Sequence, residues 1–491
     1  MYFRILLFCL SFTLSISPLI SQEFVRTDST ISDEFKIWKF EEESTPWIVH
    51  VIEIDLTQEE VTPKVALAND RISHNTFSET FTETESLASM IDRKIEDGAD
   101  IIGGINADFF DMATGMVFNV TASEGQLATY GITQTPHAGF YTDEEGNPYI
   151  GLIEISQTIA LNDTLEREIH GVNNNRTDET IILYNRFIEG NQSSANEWGH
   201  EILLQPIEEV DFVNGTFQYV VVDEDGKVTR ENEDQIIASG HGSSSDFLEN
   251  ASEGDTITIT TSFEGIADSI HVVDMVGGWG HIVHDGDNRA EDSIEEEGSM
   301  SHENERHPRS AVGYNADKTR LYLVAAEGRS DNSAGMNLSE LADFMIHELE
   351  VSEGLNFDGG GSTTLMSGTE TINDLSDGGQ RSIPTALIIQ GSIMTALFDY
   401  PEAEENIQIY PNPTADHVTL EWDRDSKIGQ MKNLDFRIHA LDGKMVWEEK
   451  LNFMNQDARI RINLPQTAPG QYFYTLRAGS SLIASGKLVI Q

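Results

Sequence analysis

Three consecutive stretches constrain the fold most: 320-RLYLVAAEGR-329, 337-NLSELADFMIHELEV-351 and 354-GLNFDGGGSTTLM-366. The first is an apolar run ending in a charged turn. In the second, Leu338, Leu341, Ala342, Met345 and Leu349 recur at helical spacing, and Asn337 can cap the helix with Glu340 three residues on, the capping-box arrangement. In the third, Leu355 and Phe357 alternate with Gly354 and Asn356 as in a strand, and the glycines that follow stop any regular element. Strand, helix and strand in this order predict a βαβ-like unit, and with it an α+β (mixed α/β) catalytic domain with a central sheet and packed helices.

The chain has 491 residues, long for one compact domain. Residues 1–21 pair Arg4 with a short apolar core and end on Ser21, the pattern of a signal peptide, and the run is too short and too rich in Ser and Pro for a membrane anchor. Cys9, the one cysteine, falls inside it, so the mature chain is expected to hold no disulfide, catalytic thiol or zinc-thiolate site. Residues 47–67 alternate as paired strands, 85–97 read as a helix, and 101–112 as a buried strand entering a loop. Residues 115–300 are rich in strand-like segments between turn residues. Composition breaks at 399-DYPEAEEN-406, and short alternating segments then predict a small all-β sandwich C-terminal domain. The expected division is a signal peptide at 1–21, a catalytic domain at 22–395, a linker at 396–406 and the sandwich at 407–491. With 84 Asp and Glu against 30 Lys and Arg, the net charge of −54 argues against nucleic-acid and anionic-membrane partners.

Candidate ligand-holding groups lie at the ends of apolar runs: Asn106 and Asp108 in GINADFFD, Arg309 in RHPRSAVG, Glu327 and Arg329 in AEGR, and Asp358 through Ser362 in DGGGS. Consecutive glycine amides form an anion-binding nest, and a guanidinium adds a bidentate partner for phosphate oxygens. Two neighbouring carboxylates can supply the acid and the base or nucleophile that glycosidic cleavage needs. A sugar joined to a phosphate uses both sets. Each piece alone has a plainer reading: GGG as a tight turn, Asp108 and Asp111 as turn closers, the arginines as surface charges. His281 and His284 are three apart on a predicted strand, which puts them on opposite faces and argues against a shared metal. The run 285-DGDNRAED-292 lacks the spacing of a calcium loop and reads as a solvated acidic loop.

Taken in order, GINADFFD, VGGWGHIVHDG, RHPRSAVG, AEGRSDNSAG, GLNFDGGGSTTLM and QRSIPTALII resemble the phosphodiester glycosidase family over residues 50–392. The usual Asp-Gly-Arg of that family is Glu327-Gly328-Arg329 here, and its Gly-Gly-Gly-Pro is Gly277-Gly278-Trp279-Gly280. The last segment, from 408-QIYPNPTADHVTLEW-422 to 470-GQYFYTL-476, resembles the C-terminal sorting domain of the type IX secretion system. The resemblances imply a secreted or surface-attached hydrolase that removes a GlcNAc-like sugar from a sugar-1-phosphodiester in a polysaccharide or glycoconjugate, with the secretion machinery as a second partner. Asp358, Glu327, Asp108 and Arg309 are then the expected catalytic set. Asn106, His307, Arg329, Gly359, Gly360, Gly361, Ser362, Thr363 and Arg381 are the expected substrate contacts. No cofactor is required by the sequence, a divalent cation such as calcium remains open, and metal ligands are unknown. The rival readings are a non-catalytic binder of phosphorylated glycans and a divalent-metal phosphodiesterase.

Overall fold

The computed structural model describes residues 24–391, interrupted at 31–34, 59–60, 77–78, 131–134, 163, 225 and 300–301. It also describes residues 407–490, interrupted at 423–433, 440–444, 452–458, 465–468 and 479–480. The expected signal peptide and linker lie outside the described residues. The chain is mostly β, 47% strand and 11% helical, with four α-helices among the described residues. This overturns the α+β expectation of a central sheet with packed helices.

The reason is visible in the predicted βαβ unit. Strand Arg320–Ala326, helix Leu338–Leu349 and strand Glu353–Phe357 all form, but strand Arg309–Tyr314 inserts between the two flanking strands and pairs antiparallel with both. A short hairpin turn delivers Arg309–Tyr314 to Arg320–Ala326 before the helix begins, so an antiparallel ladder takes the place of a parallel one. The helix starts as its sequence requires: the Asn337 side chain accepts from the Glu340 amide and Glu340 accepts from the Asn337 amide. Its buried Leu341, Phe344, Met345 and Leu349 cover one face of the sheet against Tyr322 and Val324.

Two sheets carry the architecture. The first has eight strands in the order Val25–Thr30, Phe35–Glu42, Trp47–Asp55, Arg320–Ala326, Arg309–Tyr314, Glu353–Phe357, His281–His284 and Asp287–Asn288. The second has five, Glu370–Thr371, Leu365–Ser367, Ile101–Asn106, Thr385–Gln390 and Thr62–Leu67. Every neighbouring pair in both is antiparallel. The alternate residues Ile52, Ile54, Leu323, Leu355 and Phe357 of the first sheet meet Ile105, Leu365 and Leu387 of the second in one buried layer. Helix Leu87–Glu96, capped by Ser86, covers the far face of the second sheet with Leu87, Met90 and Ile91. The strand-rich middle forms a further five-stranded and a further eight-stranded sheet that share a core including Ala122, Tyr141, Ile159, Leu204 and Ile257. Residues 407–490 form separate three- and four-stranded sheets around Leu420, Phe436, Leu476 and Leu488.

Register fixes where chemistry can occur. Arg309 pairs with Ala326, Ser310 with Phe357, Ile105 with Leu365 and Asn106 with Ala386. The segments entering or leaving at 106, 309, 326, 357, 365 and 385 therefore gather at one end of the two packed sheets.

Candidate active site

Asn106 closes that end. Its Nδ2 donates to the Asp358 carbonyl at 2.6 Å, while its Oδ1 accepts from Ser310 Oγ at 2.7 Å and from the Thr364 amide at 3.0 Å. The residue is 1% exposed, so the amide links three segments from both sheets without reaching solvent. Asn106 is thus a positioning residue and not a surface for substrate.

The glycine run is dictated by close neighbours. A Cβ on Gly359 would lie 2.6 Å from the Pro308 carbonyl oxygen, and one on Gly361 only 2.0 Å from Arg381 Nη2 and Asp377 Oδ2. Gly360 has a φ of +61°, which glycine adopts without strain, and faces the Arg329 guanidinium. The expected anion nest is mostly engaged elsewhere: the Gly360 amide donates to the Pro308 carbonyl at 2.8 Å, and the Gly359 amide turns to the Asp358 carboxylate. The Gly361 amide is the one of the three with neither commitment.

What does open to solvent is a cleft of about 440 Å³ lined by Phe109, Phe118, Trp279, His302, His307, Arg309, Arg329, Asp358, the three glycines and Arg381. One wall is aromatic: Trp279 meets Phe109 and Phe118 edge to face at 5.8 and 6.4 Å, and His137 stacks behind it at 4.2 Å. The buried Glu297 carboxylate fixes this wall by accepting the amides of Ala138, Gly280 and His281 at 2.8–2.9 Å. The opposite wall is cationic. Arg381 donates to Ser362 Oγ at 3.2 Å and Asp377 at 2.6 Å, and Arg329 donates to His307 Nδ1. Because a guanidinium only donates, His307 must carry its proton on Nε2, which faces Glu305 at 3.2 Å. Arg309 is 4% exposed, and its Nε and Nη2 are held by the carbonyls of Met336, His302 and Glu305. Of its nitrogens, Nη1 is the one those bonds leave over.

The carboxylates separate into different roles. Burial pushes the Asp358 carboxyl up to about 6, against bonds from Ser362 and the Gly359 amide and the attraction of Arg381 and Arg309. Burial likewise pushes Asp108 up to about 8, against bonds from the side chain and amide of Asn119, and the Asp358 charge adds to the rise. Asp108 is 2% exposed and does not line the cleft. It heads a chain in which Asn119 Nδ2 donates to Asp108 at 2.6 Å and His137 Nδ1 meets Asn119 Oδ1 at 2.7 Å. Glu327 stands outside the cleft too. Burial would raise it, but bonds from His50 at 2.9 Å and the Asp374 amide at 2.8 Å outweigh that and hold it below the usual glutamate value.

The structure therefore gathers Asp358, Arg309, Arg329, Arg381, His307 and Gly359–Gly361 on one cleft, with Asp108 and Asn106 buried behind it and Glu327 beneath its loop. Ser362 meets the cleft through Arg381, while the Thr363 hydroxyl is buried without a hydrogen-bond partner. Sequence reasoning missed Asn119, His137, Phe118, His302 and Glu297. Their only signal was three-dimensional, since none belongs to a Gly-bearing strand end.

Residues 208–390 match the phosphodiester glycosidase family, and residues 408–491 match the secretion system C-terminal sorting domain. A curated relative, an uncharacterized SPbeta prophage-derived protein from Bacillus subtilis strain 168, is 34% identical over 86 residues, 18% of this chain and 13% of that one. Among solved structures, a hypothetical protein from Synechocystis aligns with a TM-score of 0.56 and 15% identity over 75% of this chain and 64% of its own. A protein from Burkholderia pseudomallei aligns with a TM-score of 0.51 and 17% identity over 70% and 74%. These likenesses are ones of fold. The sorting domain implies export by the type IX machinery, to secretion or surface attachment. No helix among the described residues is long and apolar enough to cross a membrane.

Two outcomes follow from the geometry. Asn106→Ala strands the Ser310 hydroxyl and the Thr364 amide in a buried site, and urea unfolding should show a loss of about 2–6 kcal/mol at roughly 1–3 kcal/mol per orphaned group. The raised Asp358 means the folded state keeps a proton that the unfolded chain has released, so its share of stability falls as pH climbs from about 4 to about 6. Unfolding free energies of wild type and Asp358→Asn at fixed salt should diverge in favour of the variant by up to about 3 kcal/mol over that window. Two family matches thus follow one another along the chain, phosphodiester glycosidase over residues 208–390 and the secretion system C-terminal sorting domain over residues 408–491.

Proposed function

We propose that this chain is an exported hydrolase that cleaves the bond between a sugar and the phosphate of a sugar-1-phosphodiester. The observation that carries the reading is charge: in a chain of net −54 with only 30 Lys and Arg, the guanidiniums of Arg309, Arg329 and Arg381 line one cleft beside a single carboxylate. An anionic phosphodiester is the ligand that rewards this concentration of cations. The wall formed by Trp279, Phe109 and Phe118 offers an apolar surface for a sugar face on the other side.

In this reading Arg329 and Arg381 hold the phosphate, with the Gly361 amide beside them, and Arg309 acts mainly by fixing the 302–309 loop. Asp358 works at the sugar in its ionised form, which the donors Ser362 and the Gly359 amide favour. A phosphate monoester is a good leaving group, so departure needs little protonation and the guanidiniums neutralise the charge it develops. Asp108, its burial countered by Asn119, sets the local charge around Asp358 from behind. The domain division proposed with this function places catalysis before residue 396 and sorting after residue 406.

The decisive assay is turnover of a GlcNAc-1-phosphodiester in ¹⁸O-water, with label expected in the sugar hydroxyl. Label in the phosphate would mean phosphodiesterase chemistry, and saturable binding without sugar release would mean binding alone. For the labelled reaction, kcat/KM should rise as pH climbs through about 6 as Asp358 ionises. Asp358→Asn should lower kcat by about 10²-fold or more. Arg381→Ala should weaken kcat/KM by about 10- to 100-fold, the value of one charge-assisted contact.

A further inference from the structure

At the other end of strand Glu353–Phe357 from Asp358, about 16 Å along the strand, lies a second cluster of polar groups. His281 Nε2 and His284 Nδ1 both point at one carboxylate oxygen, Glu353 Oε2, at 2.7 and 2.9 Å. Regular pleating would put these two histidines on opposite faces. The structure brings them together because the ladder between strands His281–His284 and Glu353–Phe357 shifts register between His281 and Val283: His281 faces Leu355 and Val283 faces Gly354. The extra residue turns the chain and aims both rings at one point, which is what a bulge beside a site does. An Asp285-Gly286 turn with both φ positive, +51° and +78°, then closes the hairpin tightly enough to keep His284 there.

We infer that His281, His284 and Glu353 form a binding site for a divalent transition-metal ion of the zinc class. The ligand atoms lie within 4.8 Å of one another, so one ion can reach all three, and two imidazoles with one carboxylate favour zinc-like ions over calcium. Binding replaces the two N–H···O bonds, and each neutral imidazole then carries its proton on the ring nitrogen turned away from the ion. The His281 and Glu353 side chains are 18% and 14% exposed, which limits competition from water, while His284 at 47% leaves an entry path. Asp285 Oδ2 stands 3.8 Å from His284 Nε2, outside hydrogen-bond reach but near enough for its charge to favour a cation bound at the ring. Asp292 and Glu296 hold the nearby Arg289 guanidinium. The strand so clamped leads directly from Trp279, so the ion would brace the aromatic wall of the cleft without touching substrate. The inference stands whether or not the proposed reaction is correct.

The test is zinc titration of the full-length untagged protein after chelation, followed calorimetrically and by melting temperature, with cobalt absorption as a second readout. One equivalent should bind, raise the melting temperature and give the visible bands of a four- or five-coordinate cobalt site. His284→Ala, on the exposed side of the cluster, should weaken binding by at least about 100-fold, and Asp285→Asn by about 10-fold. If His284→Ala impairs folding, His284→Gln replaces it. A His302→Ala/His307→Ala variant should bind as wild type does. Three results overturn the inference: no saturable binding, binding unchanged in the His284 variant, or binding lost only in the His302/His307 variant. A melting temperature that responds to pH and not to zinc also overturns it, leaving a purely hydrogen-bonded clasp.

Discussion

The amide of Asn106 is the interaction on which the cleft depends. Two antiparallel sheets packed face to face have no covalent reason to end at the same height, and apolar packing between them tolerates small slides. Hydrogen bonds do not. With Nδ2 on the Asp358 carbonyl and Oδ1 on both Ser310 and Thr364, a slide of one sheet over the other leaves buried polar groups unpaired. The cost of that mismatch holds Asp358 where the Ser362 hydroxyl and Arg381 can reach its surroundings. Asn106 therefore acts through alignment: its buried side chain spends three of its four hydrogen-bonding positions on holding the two sheets together.

Electrostatics divides the molecule into a far field and a near field. Summed over the chain, the charge of −54 repels anions at long range. Within the cleft the order reverses, since Arg309, Arg329 and Arg381 line it with one carboxylate, Asp358. Ionic strength separates the two, because salt screens charges more than about 8–10 Å apart far more than those in contact. The same crowding of cations explains why burial and Arg329 push Arg309 down to about 10, still charged at neutral pH, and why three of its contacts are backbone carbonyls.

Much of this was legible in the sequence, and the failures have identifiable causes. The capping box at Asn337 and Glu340, the helix that follows it and the strand-end position of Asn106, Arg309 and Asp358 were all readable from local spacing. The antiparallel order was not, because periodicity reports that a segment is a strand and says nothing of which strand lies beside it. The insertion of Arg309–Tyr314 between the arms of the expected βαβ unit is a tertiary fact. Glu327 lies off the cleft for the same reason: it ends its strand beside Arg309, yet its side chain turns to His50 on a strand distant in sequence. Asp108, by contrast, owes its raised carboxyl to burial beside Asn119, which no spacing rule could anticipate.

The histidines of GHIVH show most clearly how a sound local rule gives way. A period of two correctly separates residues three apart only while the strand stays in register, and this strand does not. The glycine loop breaks regularity in a similar manner: a Cβ on Gly359 would meet the Pro308 carbonyl oxygen at 2.6 Å, and Gly360 takes a φ of +61°. In both places the backbone gives up ladder regularity or conformational economy to bring polar groups to one point. Such a departure weakens a sheet locally, so it persists only where the surrounding packing supports it. Here the support is specific: Glu297 holds three amides beside Trp279, and Asn106 holds the loop after Phe357. The irregular segments are thus fixed by buried polar groups and not by their own hydrogen-bond ladders, which is how a mostly antiparallel molecule presents converging side chains.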